Sequence, residues 1–414
     1  MLLVLRALSP DAWLLFATRF TRLFAYGALS VVLVFYLVGL GFSEAQTGVL
    51  LTLTLAGDTV VSLYLTTRAD RIGRRRMLLI GAVLMVAAGL TFAFSRSLWI
   101  LTLAGTIGVI SPSGGEVGPF LPIEQAALSH VVSTRIRTEV FAWYILAGSL
   151  ATALGSLTAG AIVQALQGNG AMTDVSSYRL VILGYAALGA VLAFLITRVS
   201  SASEVVGRGE KAVSRATLGG LTGLHESRGI VFKLSSLFAL DSFGGGFVIQ
   251  SFAAYWFHLR FGVNPATLGV VFFAANVLAG ISALLAARLA ARFGLLNTMV
   301  ATHLPSNVLL ILIPLMRTLP MAALLLLVRF SISQMDVPTR QSYVMAAVRP
   351  EERSAAAGIT GVARTLGAAI SPMLAGLLFA RPSLINVPFF IAGTLKMTYD
   401  LWLYREFRAV RQHD

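Results

Sequence analysis

Apolar residues run along this chain in long blocks separated by short polar stretches, and block length is the first clue to the fold. Twelve such blocks lie at about 12–37, 45–66, 77–95, 98–131, 139–166, 179–198, 230–257, 265–287, 295–316, 320–347, 354–380 and 384–404. Each is close to or above the ~20 residues a helix needs to cross a ~30 Å hydrocarbon layer. The blocks lack the alternating ten-residue pattern of a membrane barrel. In lipid every backbone polar group must be satisfied within its own segment, so all twelve are expected to be helices. The longest polar stretch, 200–229, is rich in Gly and Ser and carries Arg208, Lys211, Arg215 and Arg228. The expected organisation is therefore an all-α membrane protein of 12 transmembrane helices: a six-helix bundle over 1–199, a linker over 200–229 and a second six-helix bundle over 230–414.

Composition agrees with that pattern. Of 414 residues 57% are hydrophobic and 12% charged, against about 25% charged in a soluble domain. The net charge of +14 raises the question of nucleic acid, but the basic residues are dispersed among the loops instead of gathered on one face, so no nucleic-acid partner is expected. The absence of cysteine excludes a disulfide framework, a thiolate metal site and a cysteine nucleophile. The first residues show no small-residue cleavage site, and the first span is expected to be retained.

Topology follows from one stretch, Leu65 to Leu79. Arg68, Arg71, Arg74, Arg75 and Arg76 fall within nine residues, tight against the blocks on either side, which reads as a cytoplasmic loop by the positive-inside rule. Of the 32 Lys and Arg, 21 then fall on that side, 5 on the other (Arg96, Arg179, Arg260, Arg317 and Arg381) and 6 within spans. Both termini are expected in the cytoplasm, with the chain a multi-pass protein of the inner (plasma) membrane. The pattern Asp70-Arg71-x-Gly73-Arg74-Arg75 resembles the signature loop between the second and third helices of the major facilitator superfamily, although Thr66 stands where that signature usually opens with glycine.

The second half repeats the first. A shift of 216 lays Pro122-Ile123-Glu124-Gln125 on Pro338-Thr339-Arg340-Gln341 and Arg137-Thr138 on Arg353-Ser354; a shift of 221 lays Gly41-Phe42 on Gly262-Val263 and Gly73 on Gly294. Such a six-plus-six duplication also looks like the facilitator superfamily, whose bundles are related by a pseudo-twofold axis along the membrane normal. The resemblance implies alternating access, with spans 1, 4, 7 and 10 lining a central cavity. It also implies that Asp70, Arg71, Gly73 and Arg74 brace the cytoplasmic gate.

Twelve charged residues sit inside spans: Arg19, Arg22, Arg329, Arg340, Arg364 and Lys396, and Asp58, Glu116, Glu124, Asp241, Asp336 and Asp400. Each costs roughly 2.5–3.5 kcal/mol to insert unless it faces water or a partner. Eight of them lie on spans 1, 4, 7 and 10, as a polar path would require. Arg19 and Arg22 are three apart on one face, and with Arg329 and Arg364 they form a candidate basic site for an anionic solute, with Glu116 beside it. The alternative is that acids such as Asp241, Glu116 and Asp58 neutralise them. Asp241, Glu116 and Glu124 are the candidate proton-coupling carboxylates, since burial favours the neutral form; permanent ion pairing is the competing reading. Asp336 and Arg340, and likewise Lys396 and Asp400, are four apart and are expected to pair. Arg340 takes the repeat position of Glu124, which makes Glu124, Asp336 and Arg340 candidates for a gating salt bridge.

Span 4 holds Ser111-Pro112-Ser113-Gly114-Gly115-Glu116-Val117-Gly118-Pro119, too many helix breakers for a straight helix, and a kink or unwound turn is expected. Span 7 holds Asp241-Ser242-Phe243-Gly244-Gly245-Gly246, suited to close contact or hinging. The elements Gly155 to Gly160 and Ser371 to Gly376 loosely resemble the Gly-Pro-x-x-Gly-Gly element of facilitator antiporters. His303 stands alone in span 9 and reads as a packing residue. No phosphate-binding loop and no metal-ligand spacing occurs, so neither a cofactor nor enzymatic chemistry is expected. The expectation is a secondary transporter, a monomer, that moves a small organic solute with protons, export ahead of uptake and an anion ahead of a lipophilic cation. The rivals are symport uptake of an organic anion, multidrug efflux, and a receptor or scaffold that no longer moves solute.

Overall fold

The computed structural model describes residues 8–116, 118–133, 136–168, 170–200, 224, 226–349 and 352–408, the side chains of Asp70, Thr138 and Ser354 excepted. The described residues form fifteen α-helices and no strand: α1 (Pro10–Gly39), α2 (Glu44–Ile72), α3 (Arg74–Phe94), α4 (Leu98–Ile107), α5 (Phe120–Val131), α6 (Arg137–Gly168), α7 (Asp174–Arg198), α8 (Arg228–Gly246), α9 (Gln250–Phe261), α10 (Pro265–Phe293), α11 (Leu295–Leu312), α12 (Leu319–Ser333), α13 (Asp336–Ala347), α14 (Arg353–Phe379) and α15 (Val387–Phe407). These make the twelve expected spans. Spans 4, 7 and 10 are each split in two, as α4/α5, α8/α9 and α12/α13. Ten spans qualify as membrane-crossing on length and apolarity; the others are span 4, in two short pieces, and span 12 (α15), which carries Lys396 and Asp400.

Local chemistry sets the ends. Ser9 caps α1 by accepting the Ala12 amide at 3.2 Å, with Pro10 in the first turn, where a missing N–H costs nothing. Ser43 and Gln46 form a reciprocal capping box on α2, at 2.9 and 3.2 Å. The segment read as a loop at 65–79 is almost entirely helix. α2 continues to Ile72 and α3 begins at Arg74, leaving Gly73 alone, at φ 115, to reverse the chain. A side chain rarely adopts that φ.

The duplication is written into the backbone. In the register of 221, Gly41 (φ 95) matches Gly262 (φ 66) and Gly73 matches Gly294 (φ 83). The Ser43 cap matches an Asn264 side chain that accepts the Thr267 amide at 2.9 Å. In the register of 216, α5 falls on α13 end to end. Arg137 donates to the Ser129 carbonyl (2.9 Å) and Arg353 to the Met345 carbonyl (2.8 Å), also 216 apart. Each arginine caps the final turn of a matching short helix, the end where a cation is favoured.

By contact the chain divides into two compact units, Met1–Gly207 with Ile249–Val277, and Arg208–Val248 with Leu278–Asp414. In the first, α1 packs against α6 and α7, and α3 against α7. α1 and α6 approach backbone to backbone: a Cβ on Gly27 would lie 2.1 Å from the Thr152 carbonyl oxygen. Polar bonds draw α9 into this unit, with Gln250 Nε2 donating to Ser30 Oγ (2.8 Å), Ser251 Oγ to the Pro112 carbonyl (2.6 Å) and the Tyr255 hydroxyl to Glu44 (2.8 Å). In the second unit, α8 packs against α14 and α15, and α11 against α15, α12 and α13, around a core of Phe238, Met299, Tyr343, Tyr399 and Phe407.

Candidate functional site

The in-span charges other than Asp58 form two networks, each inside one unit. The first is built around the break in span 4, where α4 ends at Ile107 and α5 begins at Phe120 and the described residues between them are not helical, a longer opening than a kink. Backbone groups freed by unwinding need partners in a membrane, and side chains supply them: Thr152 Oγ1 donates to the Gly114 carbonyl (3.3 Å), Ser111 Oγ to the Gly115 carbonyl (2.7 Å), the Tyr185 hydroxyl to the Val109 carbonyl, and the Gly118 amide to Asp58 Oδ1 (2.7 Å). The opening hangs Glu116 between Arg19 and Arg22. Arg19 pairs with Glu116. Arg22, fully buried, donates to Glu116 at 3.0 Å and to both oxygens of Glu124 at 2.7 and 3.0 Å. Glu124, also fully buried, takes further bonds from Thr18 (2.9 Å) and Tyr144. The guanidinium groups of Arg19 and Arg22 lie over the rings of Tyr144 and Phe120, at 4.5 and 4.6 Å, so each cation has an aromatic face as well as a carboxylate.

The ion pairs are those of the neutralising reading of Arg19 and Arg22: two bases face two acids, Arg19 with Glu116 and Arg22 with both Glu116 and Glu124. Asp58 and Asp241 are not among their partners. The Glu116 side chain is 20% exposed, and it is the accessible member of the network.

The second network lies in the other unit. Asp241 on α8 accepts Arg340 Nη1 of α13 at 2.9 Å and Lys396 Nζ of α15 at 2.6 Å. Asp336 lies 3.4 Å from Arg340, as the spacing of four predicted. The expected Lys396–Asp400 pair does not form. The long Lys396 stem reaches across to α8, while the shorter Asp400 faces α11, where His303 Nδ1 stands 2.7 Å from Oδ1 and Asn307 donates to Oδ2 at 2.9 Å. His303 also places Nε2 3.6 Å from Asp241, and so joins the two carboxylates. It is thus part of the charged network and not the lone packing residue expected. The signal that could have found it is the His303 and Asn307 spacing of four on one helical face.

Arg329 on α12 and Arg364 on α14 flank this network, each within electrostatic reach of Asp241 and Asp336. Both are partly buried, and their Nε atoms are enclosed with no hydrogen-bond partner. Among the described residues neither makes an ion pair. The second network therefore carries Arg329, Arg340, Arg364 and Lys396 against Asp241, Asp336 and Asp400, an excess of one positive charge before any proton on His303. Asp241, His303 and Asp336 offer ligand atoms within 4.8 Å of one another, but Arg340 and Lys396 already occupy Asp241, and two cations at hydrogen-bond distance oppose a metal ion there.

Glu124 and Arg340, equivalent in the repeat, have opposite charges, and each finds its partner on the first helix of its own half: Arg22 on α1 for Glu124, Asp241 on α8 for Arg340. The duplicated scaffold has kept the pair and reversed its sense. Of the signature residues, Arg71 is exposed, Gly73 makes the turn, Arg74 is buried, and Arg75 donates to the Thr197 carbonyl at the end of α7. The Asp70 side chain lies outside the described residues.

The sequence model of the Major Facilitator Superfamily matches residues 15–372 and again 237–409. The chain is 31% identical over 426 residues to the uncharacterized membrane protein YJR124C of Saccharomyces cerevisiae, covering 97% of this chain and 95% of that one. A Na(+), Li(+), K(+)/H(+) antiporter of Planococcus maritimus is 27% identical over 205 residues, 46% of this chain and 43% of that one. Among solved structures, a bacterial homologue of the human lysosomal transporter Spinster superposes with a TM-score of 0.75 at 14% identity, covering 97% of this chain and 98% of that one.

Proposed function

Since this chain belongs to the Major Facilitator Superfamily, and is a multi-pass secondary transporter by that membership, we propose that its solute is a small organic anion exchanged for protons across the cell membrane, with export the working direction. The observation that carries the anion reading is the pair Arg329 and Arg364. They are the in-span bases without an acidic partner among the described residues, in a network with an excess of positive charge. Guanidinium forks match carboxylate and phosphate, and an anion seated there would satisfy their enclosed nitrogens. The partial likeness to a cation/proton antiporter supports the proton as the coupling ion and exchange as the mode.

In this reading Arg19 and Arg22 hold Glu116 and Glu124 instead of binding solute directly. Glu116, the accessible acid, takes up the proton and in doing so loosens Arg19. Asp241 keeps Arg340 and Lys396 in place beside Arg329 and Arg364. Asp70, Arg71, Gly73 and Arg74 brace the cytoplasmic side while the sequence halves 1–199 and 230–414 alternate, with both termini in the cytoplasm and one chain as the working unit.

The test is the thermal stability of the purified protein against a panel of organic anions, phosphorylated metabolites and lipophilic cations. A ligand at about 100 times its dissociation constant stabilises by about 2.7 kcal/mol. The expected result is stabilisation by an anion that disappears in Arg329→Ala and Arg364→Ala. Stabilisation by cations alone would overturn the reading and make Glu116 and Asp241 the centre of a multidrug exporter.

A further inference from the structure

Asp58 is the in-span acid left over. Glu116 and Glu124 have Arg19 and Arg22, Asp241 and Asp336 have Arg340, and Asp400 has His303. Asp58, 8% exposed on α2, has no cationic partner among the described residues. What it has are neutral groups: the amide of Gly118, donating to Oδ1 at 2.7 Å, and the Ser62 hydroxyl one turn along α2. Neutral donors do not replace a counter-ion for an ionised carboxylate taken out of water, and a buried charge without one is the costly case. A proton on the carboxyl removes that cost. We propose that Asp58 is a proton-binding site of this transporter, and that its proton governs the unwound segment of span 4 and, through it, Glu116.

The surroundings support a site and a route. From α1, Tyr26 is fully buried and its hydroxyl has no hydrogen-bond partner. Its phenol lies within electrostatic reach of Asp58, of Tyr185 on α7, and of Arg22 and Glu116, so it stands between the unpaired acid and the paired network. α4, packed along α2, has no titratable side chain, those of α3 are Arg74, Arg75 and Arg76 in its first turn, and those of α5 are Glu124, held by Arg22, and His130 in its last turn. Gly118 is held as closely as its partner. It has φ +78, and a Cβ would lie 2.7 Å from Val109 Cγ1, so a side chain there would be strained and crowded.

The mechanism needs one proton and no other reactant. Ionised Asp58 makes a charge-assisted bond to the Gly118 amide, roughly twice as strong as the bond a neutral carboxyl makes. Protonation weakens the tie that fixes the break two residues beyond Glu116. Loss of the proton restores it. The proposal deepens the proton coupling proposed above and rests on it, adding to Glu116 a second proton-binding group in the same unit.

The test uses the full chain in lipid and no solute, so it is independent of whether the transported species is an anion. Infrared difference spectra between acid and alkaline buffer, with ¹³C-aspartate and separately with ¹³C-glutamate labelling, should show a neutral-carboxyl band that shifts with labelled aspartate and is missing in Asp58→Asn. Asp58→Glu, kept in case the asparagine variant folds poorly, should move that band to the glutamate-labelled sample, and Gly118→Ala should shift its frequency. A band that persists in Asp58→Asn, or no aspartate-sensitive band at any pH, overturns the proposal. So does a band that responds to Na⁺ at constant pH, which would make the site one for a metal cation. Proton-coupled transport retained in full by Asp58→Asn would overturn the coupling role, while loss of anion binding with the band intact would sink only the anion reading.

Discussion

Replacing Glu124 with alanine probes one of the two fully buried charges among the described residues, the other being Arg22. Its carboxylate takes two bonds from Arg22, at 2.7 and 3.0 Å, one from Thr18 at 2.9 Å and one from Tyr144, and both Arg22 and Glu124 are fully buried. Removing one partner of such a pair costs about 3–5 kcal/mol, because the other charge stays buried and short of counter-charge. The orphaned Tyr144 hydroxyl would add about 1 kcal/mol if independent, while Thr18 keeps the Leu15 carbonyl at 2.9 Å, but members of one network are not additive. Arg22 also keeps Glu116 at 3.0 Å, which offsets part of the loss. The expected destabilisation is therefore about 3–5 kcal/mol, from the range for broken buried pairs. The decisive comparison is the double variant Arg22→Leu, Glu124→Leu. A buried pair exchanged whole for apolar side chains is often neutral, and Glu116 retains Arg19, so the double variant should recover at least half of the loss. Reversible unfolding in mixed micelles, followed by tryptophan fluorescence, measures both. A single variant within about 1 kcal/mol of wild type, or a double variant as unstable as the two single losses added together, would refute the claim that the pair acts as one buried unit.

Two further outcomes are expected. Gly27→Ala places a Cβ 2.1 Å from the Thr152 carbonyl oxygen and should sharply lower the yield of folded protein on size-exclusion chromatography, whereas Gly184→Ala, with nothing within 4 Å, should not; equal yields would show that α1 and α6 need no such close approach. Asp70→Asn should impair solute movement in vesicles while leaving membrane insertion intact, and wild-type turnover in that variant would remove the gating role of the signature segment.

The spans were legible because membrane thickness imposes a single length on them, and the break in span 4 because Pro112, Gly114, Gly115, Gly118 and Pro119 disfavour helix locally. The break in span 7 follows directly on Gly244, Gly245 and Gly246, the stretch expected to allow close contact or hinging. The break in span 10 carries no such signal, since Gln334 and Met335 are ordinary helix residues. In span 7 the interruption follows a close packing contact, where a Cβ on Gly246 would lie 2.5 Å from the Ala368 carbonyl oxygen, and Ser371 bonds the Phe243 carbonyl. The stretch at 65–79 looked like a loop because charge density marks the membrane boundary, not the end of a helix; α2 runs on to Ile72 and Gly73 alone turns the chain. Candidate site residues were found by the cost of charge in lipid, but their partners were not. Lys396 joined Asp241 instead of Asp400, and His303 met Asp400 across 97 residues of sequence. Sequence spacing reports neighbours on one helix and says nothing of which neighbouring helix a side chain reaches.

Exchange of an organic anion for protons through Arg329 and Arg364, as proposed, can be read from internal pH in proteoliposomes holding the anion that stabilises the protein, diluted into anion-free buffer. Outflow of the anion should drive internal acidification, as protons enter in exchange, and Arg329→Ala and Arg364→Ala should abolish it. Internal alkalinisation as the anion leaves, with protons following it outward, would contradict exchange and establish symport in its place.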